Sequence, residues 1–339
     1  MYLGPIGCIE YQERIGPKMN ILITGATGFI GKHLARALSE IYSVRCLVRK
    51  TSDISNLRNL NVEMVYGDLL LKDSLEPALD GIDLIYHLAG EVYSRHKSDY
   101  YKGNVLATRN LLEACKEKGL KRIIFLGSTG VYKPVATKTS LTEESECRPI
   151  TFYGKTKLDA EELIKKYNIP WVIVRAPVIY GPHQPRVLNR FFLDAMNKGK
   201  IYIFGHGDNL RSLCFVDNLT EGLVLLANRA DINGKTYILS DNIPYTYNEI
   251  VKTASEAIQQ KVKVVQLPIF WGDMLWKIYC LMDNVFGLCF VELYAIKKMQ
   301  LQEAFDITKA KKELGYNPNV TLEAGIRNTM DWIKNNYIR

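Results

Sequence analysis

The stretch Ile21-Leu22-Ile23-Thr24-Gly25-Ala26-Thr27-Gly28-Phe29-Ile30-Gly31 limits what this chain can fold into more than any other. An apolar run ends in regularly spaced glycines, and a helical pattern follows at once. Glycine lets a backbone turn tightly and approach a ligand closely, while the helix N-terminus behind it attracts negative charge. Strand, glycine turn and helix in this order predict a dinucleotide-binding unit, with contacts at Gly25, Thr27, Gly28, Phe29, Ile30 and Gly31. A tight turn with no ligand is the plainer reading of the same glycines.

Apolar runs and helical patterns alternate after it. Strands are expected at residues 21–24, 44–48, 62–66, 84–88, 122–126 and 171–175, and helices at 29–40, 102–118 and 153–166. Continuous Val/Ile/Leu strands between helices read as an α/β fold, a Rossmann-like doubly wound parallel sheet covered on both faces. Such sheets bind ligands at the carboxyl ends of their strands. Beyond Pro182 the pattern turns irregular, which suggests a smaller α/β substrate-binding domain. Residues 19–178 and 211–242 are assigned to the dinucleotide-binding domain, 179–210 and 243–339 to the smaller one, and 1–18 to a tail, with Met19 an alternative start.

The chain has 339 residues, enough for one large core or two linked ones. Its net charge of +8 is spread along the sequence with no Lys/Arg block, so small anionic ligands suit it and a nucleic-acid partner is not expected. The seven scattered cysteines form no CxxC pair or Cys/His cluster, so we expect no metal site and no disulfide framework, and a cytoplasmic setting. No secretory signal opens the chain. The most apolar stretch, Pro268–Val291, is interrupted by Asp273, Lys277 and Asp283, so no transmembrane helix is predicted. It reads either as a pair of short core or lid helices, or as an apolar rim of a substrate mouth with peripheral membrane contact.

The second strand ends Leu47-Val48-Arg49-Lys50. A carboxylate there bonds the ribose 2′-hydroxyl of NAD, whereas a cation accommodates the extra phosphate of NADP. Two cations and no acid favour NADP, with NAD as the alternative; Arg49 stacking on the adenine or facing solvent is the competing reading.

Tyr153 and Lys157 stand one helical turn apart, on one face. A neighbouring ammonium favours the phenolate of a tyrosine and so fits it for proton transfer. The pattern is cheap: 20 tyrosines and 28 lysines predict about two chance matches, and the chain has three, the others being Tyr93/Lys97 and Tyr294/Lys298. Only Tyr153 lies on the helix after the fifth strand, so position selects it. Ser128, at the end of that strand, is placed to bond a substrate oxygen, with Thr129 sharing the role. Either hydroxyl could instead cap the strand end.

TGATGFIG at 24–31, GDL at 67–69, HLAG at 87–90, NVLATRNLLEA at 104–114, GSTGVY at 127–132, YGKTK at 153–157, VRAPVIYGP at 174–182, RSLCFVDN at 211–218 and FDITKAKKELGYNP at 305–318 together resemble the extended short-chain dehydrogenase/reductase family, also called the NAD-dependent epimerase/dehydratase family. The resemblance implies that Asp68 and Leu69 flank the adenine, that Ala89, Asn104 and Val178 line the cofactor channel, that Lys157 contacts the nicotinamide ribose, and that Tyr153 is the acid/base. It implies hydride transfer at a carbinol or ketone carbon, and a homodimer. Dehydratases of the family carry an Asp-Glu pair where this chain has Thr129 and Gly130, so dehydration is disfavoured.

Arg211 matches the position where nucleotide-sugar enzymes of the family hold a diphosphate; a structural arginine at a domain junction is the other reading. Against a nucleotide sugar, the Arg-Pro-Gly-Asp stretch of many sugar epimerases is replaced by Val291-Glu-Leu-Tyr-Ala-Ile-Lys-Lys-Met. LVRKTSD at 47–53 and the apolar 268–291 segment resemble dihydroflavonol reductases and hydroxysteroid dehydrogenases. The leading expectation is an NADP-dependent epimerase or ketoreductase of a nucleotide sugar, and the second a reductase or dehydrogenase of a hydrophobic hydroxy/keto substrate. A non-catalytic cofactor-sensing protein, the third, predicts a broken Tyr/Lys pair, and both residues are present.

Overall fold

The computed structural model describes residues 19–116, 118–135, 138–184 and 197–337. The tail assigned to 1–18 and part of the 179–210 segment lie outside the described residues.

Seven parallel strands form the central sheet: β1 (Asn20–Thr24), β2 (Ser43–Val48), β3 (Val62–Tyr66), β4 (Leu84–His87), β5 (Arg122–Ser128), β6 (Trp171–Ala176) and an edge strand, Lys235–Ile238. From that edge the order runs β6, β5, β4, β1, β2, β3. β1 therefore sits between β2 and β4 with chain crossing in both directions, and the crevice at such a reversal is where open α/β sheets take their ligands.

Side chains alternate across a strand, and both faces here are covered, so both must be apolar. Ile21, Ile23, Cys46, Tyr86, Ile124 and Val174 enter one core. Their neighbours Leu22, Leu47, Ile85, Ile123, Phe125 and Ile173 enter a second core on the opposite face. That two-sided burial is why these strands read as continuous apolar runs.

Three expectations need amendment. The 102–118 helix is broken into α-helical Lys97–Tyr100, a π-helical turn at Tyr101–Leu106 and α-helical Ala107–Cys115. π turns concentrate at functional sites, and this one carries Asn104, whose amide is drawn aside to bond the backbone of Glu91. The return to the sheet near 211–242 is confined to Lys235–Ile238. Leu213–Phe215 instead pairs with Val178–Tyr180, and Leu210–Arg211 with Tyr245–Thr246. Finally, the 268–291 segment holds one long helix, Ile269–Phe286, closed by left-handed Gly287, rather than two short ones. Its two acids are paired with other elements, Asp273 with Lys297 at 2.8 Å and Asp283 with Lys97 at 3.1 Å.

Candidate active site

A cleft of ≈ 590 Å³ opens over the carboxyl ends of β1, β4 and β5, within the range of about 300–1,000 Å³ usual for small-molecule sites. It begins at the glycine turn. Gly25 holds φ +75°, and a Cβ there would meet the Ala89 backbone nitrogen at 2.7 Å, so only glycine lets the ends of β1 and β4 approach this closely. A Cβ on Gly31 would overlap the Gly25 carbonyl. The helix that follows, α1 (Phe29–Ser39), is capped by Gly28 with no side-chain cap and no acid in its first turn. Its first N–H groups are thus left to an anion.

Gly25, Gly28, Phe29, Ile30, Gly31, Asn104 and Val178 line the cleft, together with Ser128, Thr129, Tyr153, Lys157 and Arg211. The remaining sequence-predicted contacts lie outside it. Thr27 sits at the crest of the glycine turn, and Ala89 backs against Gly25. Arg49 and Lys50 are exposed just past β2. Past β3, the Asp68 carboxylate accepts the Leu70 N–H at 2.9 Å and the Leu69 carbonyl accepts the Asn110 amide at 2.8 Å. These positions follow the strand ends away from the cleft toward the β3 edge. The bare helix start and the glycine cradle fit a dinucleotide.

Thr151 starts the Phe152–Lys166 helix by accepting the Gly154 N–H at 3.1 Å, and the first turns then place Tyr153 and Lys157 over β5. The Tyr153 ring meets Tyr100 edge-on at 6.0 Å. Ser128 accepts the Gly130 N–H at 3.0 Å and lines the cleft with Tyr153. Burial raises the Tyr153 pKa, while the Ser128 hydroxyl and then the charge of Lys298 pull it down. Lys157 is 6% exposed. Its Nζ donates to the Leu126 carbonyl at 2.7 Å and lies 4.3 Å from the centre of the Phe125 ring. Burial takes its pKa down to about 8, with Glu161 opposing.

The sequence reading set the Tyr294/Lys298 pair aside as remote. Folding brings it back: Tyr294 and Lys298, from the Val291–Met299 helix, line the same cleft as Tyr153. Lys298 Nζ sits 2.6 Å from Glu303 Oε1, and Arg211 Nη2 sits 2.7 Å from Glu303 Oε2. One buried carboxylate thus serves two buried cations, leaving a net positive charge. Burial opposes all three charges, yet mutual attraction wins, holding Glu303 low and raising both Arg211 and Lys298. Arg211 Nη1 is buried and makes no hydrogen bond within the protein, so a water or a ligand atom is left to satisfy it. The Arg211 guanidinium lies 5.7 Å from the Tyr247 ring centre. Sequence reasoning missed Tyr247, Tyr279, Tyr294, Lys298 and Glu303, and only the repeated Tyr/Lys spacing signalled any of them.

No group of three or more His, Cys, Asp or Glu residues is arranged to hold a metal among the described residues. None of their helices is long and apolar enough to cross a membrane.

Residues 21–240 match the NAD dependent epimerase/dehydratase family. The chain is 31% identical to the uncharacterized protein y4nL of Sinorhizobium fredii, over 93% of this chain and 95% of that protein. It is 27% identical to the mouse (Mus musculus) sterol-4-alpha-carboxylate 3-dehydrogenase, decarboxylating, over 96% of this chain and 94% of that enzyme. Among solved structures, the UDP-glucuronic acid 4-epimerase of Bacillus cereus in complex with NAD superposes with a TM-score of 0.77. It is 27% identical, over 94% of this chain and all of that one.

Proposed function

This chain belongs to the NAD dependent epimerase/dehydratase family, and from that premise we propose that it is an epimerase or ketoreductase acting at a carbinol or ketone carbon of a nucleotide sugar. A nicotinamide, when bound, supplies the hydride acceptor and donor. Tyr153 takes the hydroxyl proton of the substrate or returns it. Ser128 bonds the same oxygen and stabilises charge that develops on it. Lys157, held under the helix by Leu126, fixes the cofactor ribose, and Asn104 shapes the channel beside it. Thr129 contributes to the substrate wall.

The observation that carries this reading is that Tyr153, Ser128 and the unpartnered Nη1 of Arg211 open into one cleft that begins at the glycine turn. Acid/base groups and a buried cation in one cleft match a sugar whose diphosphate is held by Arg211. The Bacillus cereus neighbour, a UDP-sugar epimerase, supports the same substrate class. Arg49 and Lys50 support NADP over NAD. The division into a sheet domain and a smaller substrate domain, the homodimer and the cytoplasmic setting belong to this reading too, on the family resemblance and the scattered thiols.

A reductase or dehydrogenase of a hydrophobic hydroxy/keto compound is the second reading. It is favoured by the aromatic wall of Tyr279, Tyr294 and Tyr247 and by the sterol-oxidising relative. A thermal-shift series with saturating NADP⁺ separates the two, adding UDP, GDP, dTDP, a steroid mixture or a flavonoid mixture. A ligand at a hundred times its Kd stabilises by about 2.7 kcal/mol. Stabilisation by one nucleoside diphosphate supports the first reading; stabilisation by the apolar mixtures alone replaces it with the second.

A further inference from the structure

The Ile269–Phe286 helix does two things at once. Its inner side carries Tyr279, which lines the cleft and stacks on Trp276 at 4.9 Å. Its outer side carries Phe270, Trp271, Met274, Ile278, Leu281 and Val285, all exposed, with Phe270 at 65% and Val285 at 61%. At about 100° per residue these six fall within an arc of about 100°, an uninterrupted apolar stripe. Contiguous exposed apolar surface of this kind marks an interaction face rather than the scatter normal on a monomer.

The charges around the stripe say what covers it. Asp283 is withdrawn into its ion pair with Lys97, and Asp273, whose side chain is 46% exposed, is neutralised by Lys297 at 2.8 Å, so the helix presents no unpaired acid to the partner. Lys277 is exposed at the border of the stripe. Exposed Arg95 joins the far end of the helix, where its carbonyl accepts the Cys289 N–H at 2.9 Å and its guanidinium lies 5.7 Å from the Phe290 ring centre. Bulky aromatics and aliphatics bordered by cations, on a helix that lies flat against its own protein, match the interfacial helices that rest in the headgroup layer. Anionic lipid complements Lys277 and Arg95.

We propose that this helix docks the protein on an anionic lipid bilayer, placing the wall of the cleft against the membrane surface. The inference goes beyond the reaction proposed above and stands without it.

The test is co-sedimentation of the full chain with vesicles of phosphatidylcholine alone and of phosphatidylcholine mixed with phosphatidylglycerol. The expected result is binding to the anionic vesicles, weakened about fivefold by Lys277→Gln and abolished by the double variant Ile278→Glu/Leu281→Glu. The variant's melting temperature and its stabilisation by NADP⁺ should match those of the unaltered protein, which separates lost docking from lost folding and from a failure of the proposed reaction. Absence of vesicle binding by the unaltered chain overturns the proposal. So does a dimer in sedimentation equilibrium that the double variant dissociates while neither form binds vesicles; a second copy then covers the stripe.

Discussion

Lys298 and Tyr153 face one cleft from helices far apart in sequence, and the ammonium of the first draws down the pKa of the second against the effect of burial. Lys157, the partner that helical spacing assigns to Tyr153, is occupied by the Leu126 carbonyl. Two lysines therefore line the cleft with the phenol, Lys157 from its own helix and Lys298 from the Arg211–Glu303–Lys298 cluster.

This arrangement predicts a pH effect. In the oxidative direction the phenolate form of Tyr153 is the base, so turnover rises as pH passes its pKa. Lys298→Gln removes a charge that lowers that pKa, and the acidic limb of the kcat profile should move to higher pH, with Lys298→Arg restoring it. An unmoved limb in Lys298→Gln limits Lys298 to structural support of Glu303.

Cofactor choice is testable at Arg49, which stands exposed at the end of β2 with no carboxylate beside it in sequence. Arg49→Asp removes a phosphate partner and supplies an acceptor for a ribose hydroxyl. Titration should show at least ~10-fold weaker NADP⁺ binding with NAD⁺ binding kept or improved, a change of about 1.4 kcal/mol in preference. An unaltered preference means that Arg49 faces solvent in the complex.

How much of this was readable in advance depends on whether the signal was local. Ile21–Gly31 encodes strand, turn and helix in consecutive residues, and the structure follows it closely. The Tyr153/Lys157 face and the Thr151 cap are likewise helix-local. The Tyr294/Lys298 pair was visible as a motif, but its return to the cleft depends on Glu303, an acid with no distinguishing neighbours in sequence. The π turn at Tyr101–Leu106 carries the bonds of Asn104 to Glu91, a contact between segments, which helical periodicity cannot register. The Pro268–Val291 segment reads in sequence as a pair of short helices, whereas Ile269–Phe286 runs as one, and its tertiary ion pairs with Lys97 and Lys297 come from other elements that local sequence does not show.

His87 sets a pH dependence of stability. It is fully buried, with Nδ1 2.7 Å from Thr24 Oγ1 and Nε2 2.9 Å from Thr108 Oγ1. Burial, with a smaller push from Lys157, takes its pKa down to about 3. A folded-state pKa below the unfolded value of about 6.5 gives stability that is present above that pH and lost as pH falls toward 3. Denaturant melts should show His87 contributing a decline of about 1.4 kcal/mol per pH unit below about pH 6. His87→Gln should flatten it; equal slopes in the two proteins exclude His87 as the source.

Glu161 and Arg175 form a buried pair beneath the Phe152–Lys166 helix, 2.7 Å apart, with Tyr132 Oη at 2.6 Å from Arg175 Nη1. Glu161→Gln strands a buried cation, so global unfolding free energy should fall by about 3–5 kcal/mol. A loss under ~1 kcal/mol would show that water reaches the guanidinium.

The central claim is that Tyr153 moves the proton in a redox step at a carbinol carbon. The direct measurement mixes the enzyme and oxidised NADP with a panel of nucleotide sugars, follows the near-ultraviolet absorbance of reduced nicotinamide, and repeats the series with Tyr153→Phe. The account predicts a reduced-nicotinamide signal with at least one sugar nucleotide, lasting for a net dehydrogenase and transient at stoichiometric enzyme for an epimerase that returns the hydride, and formed at least ~100-fold more slowly in Tyr153→Phe, with cofactor affinity nearly unchanged. Equal rates in the two proteins would contradict it.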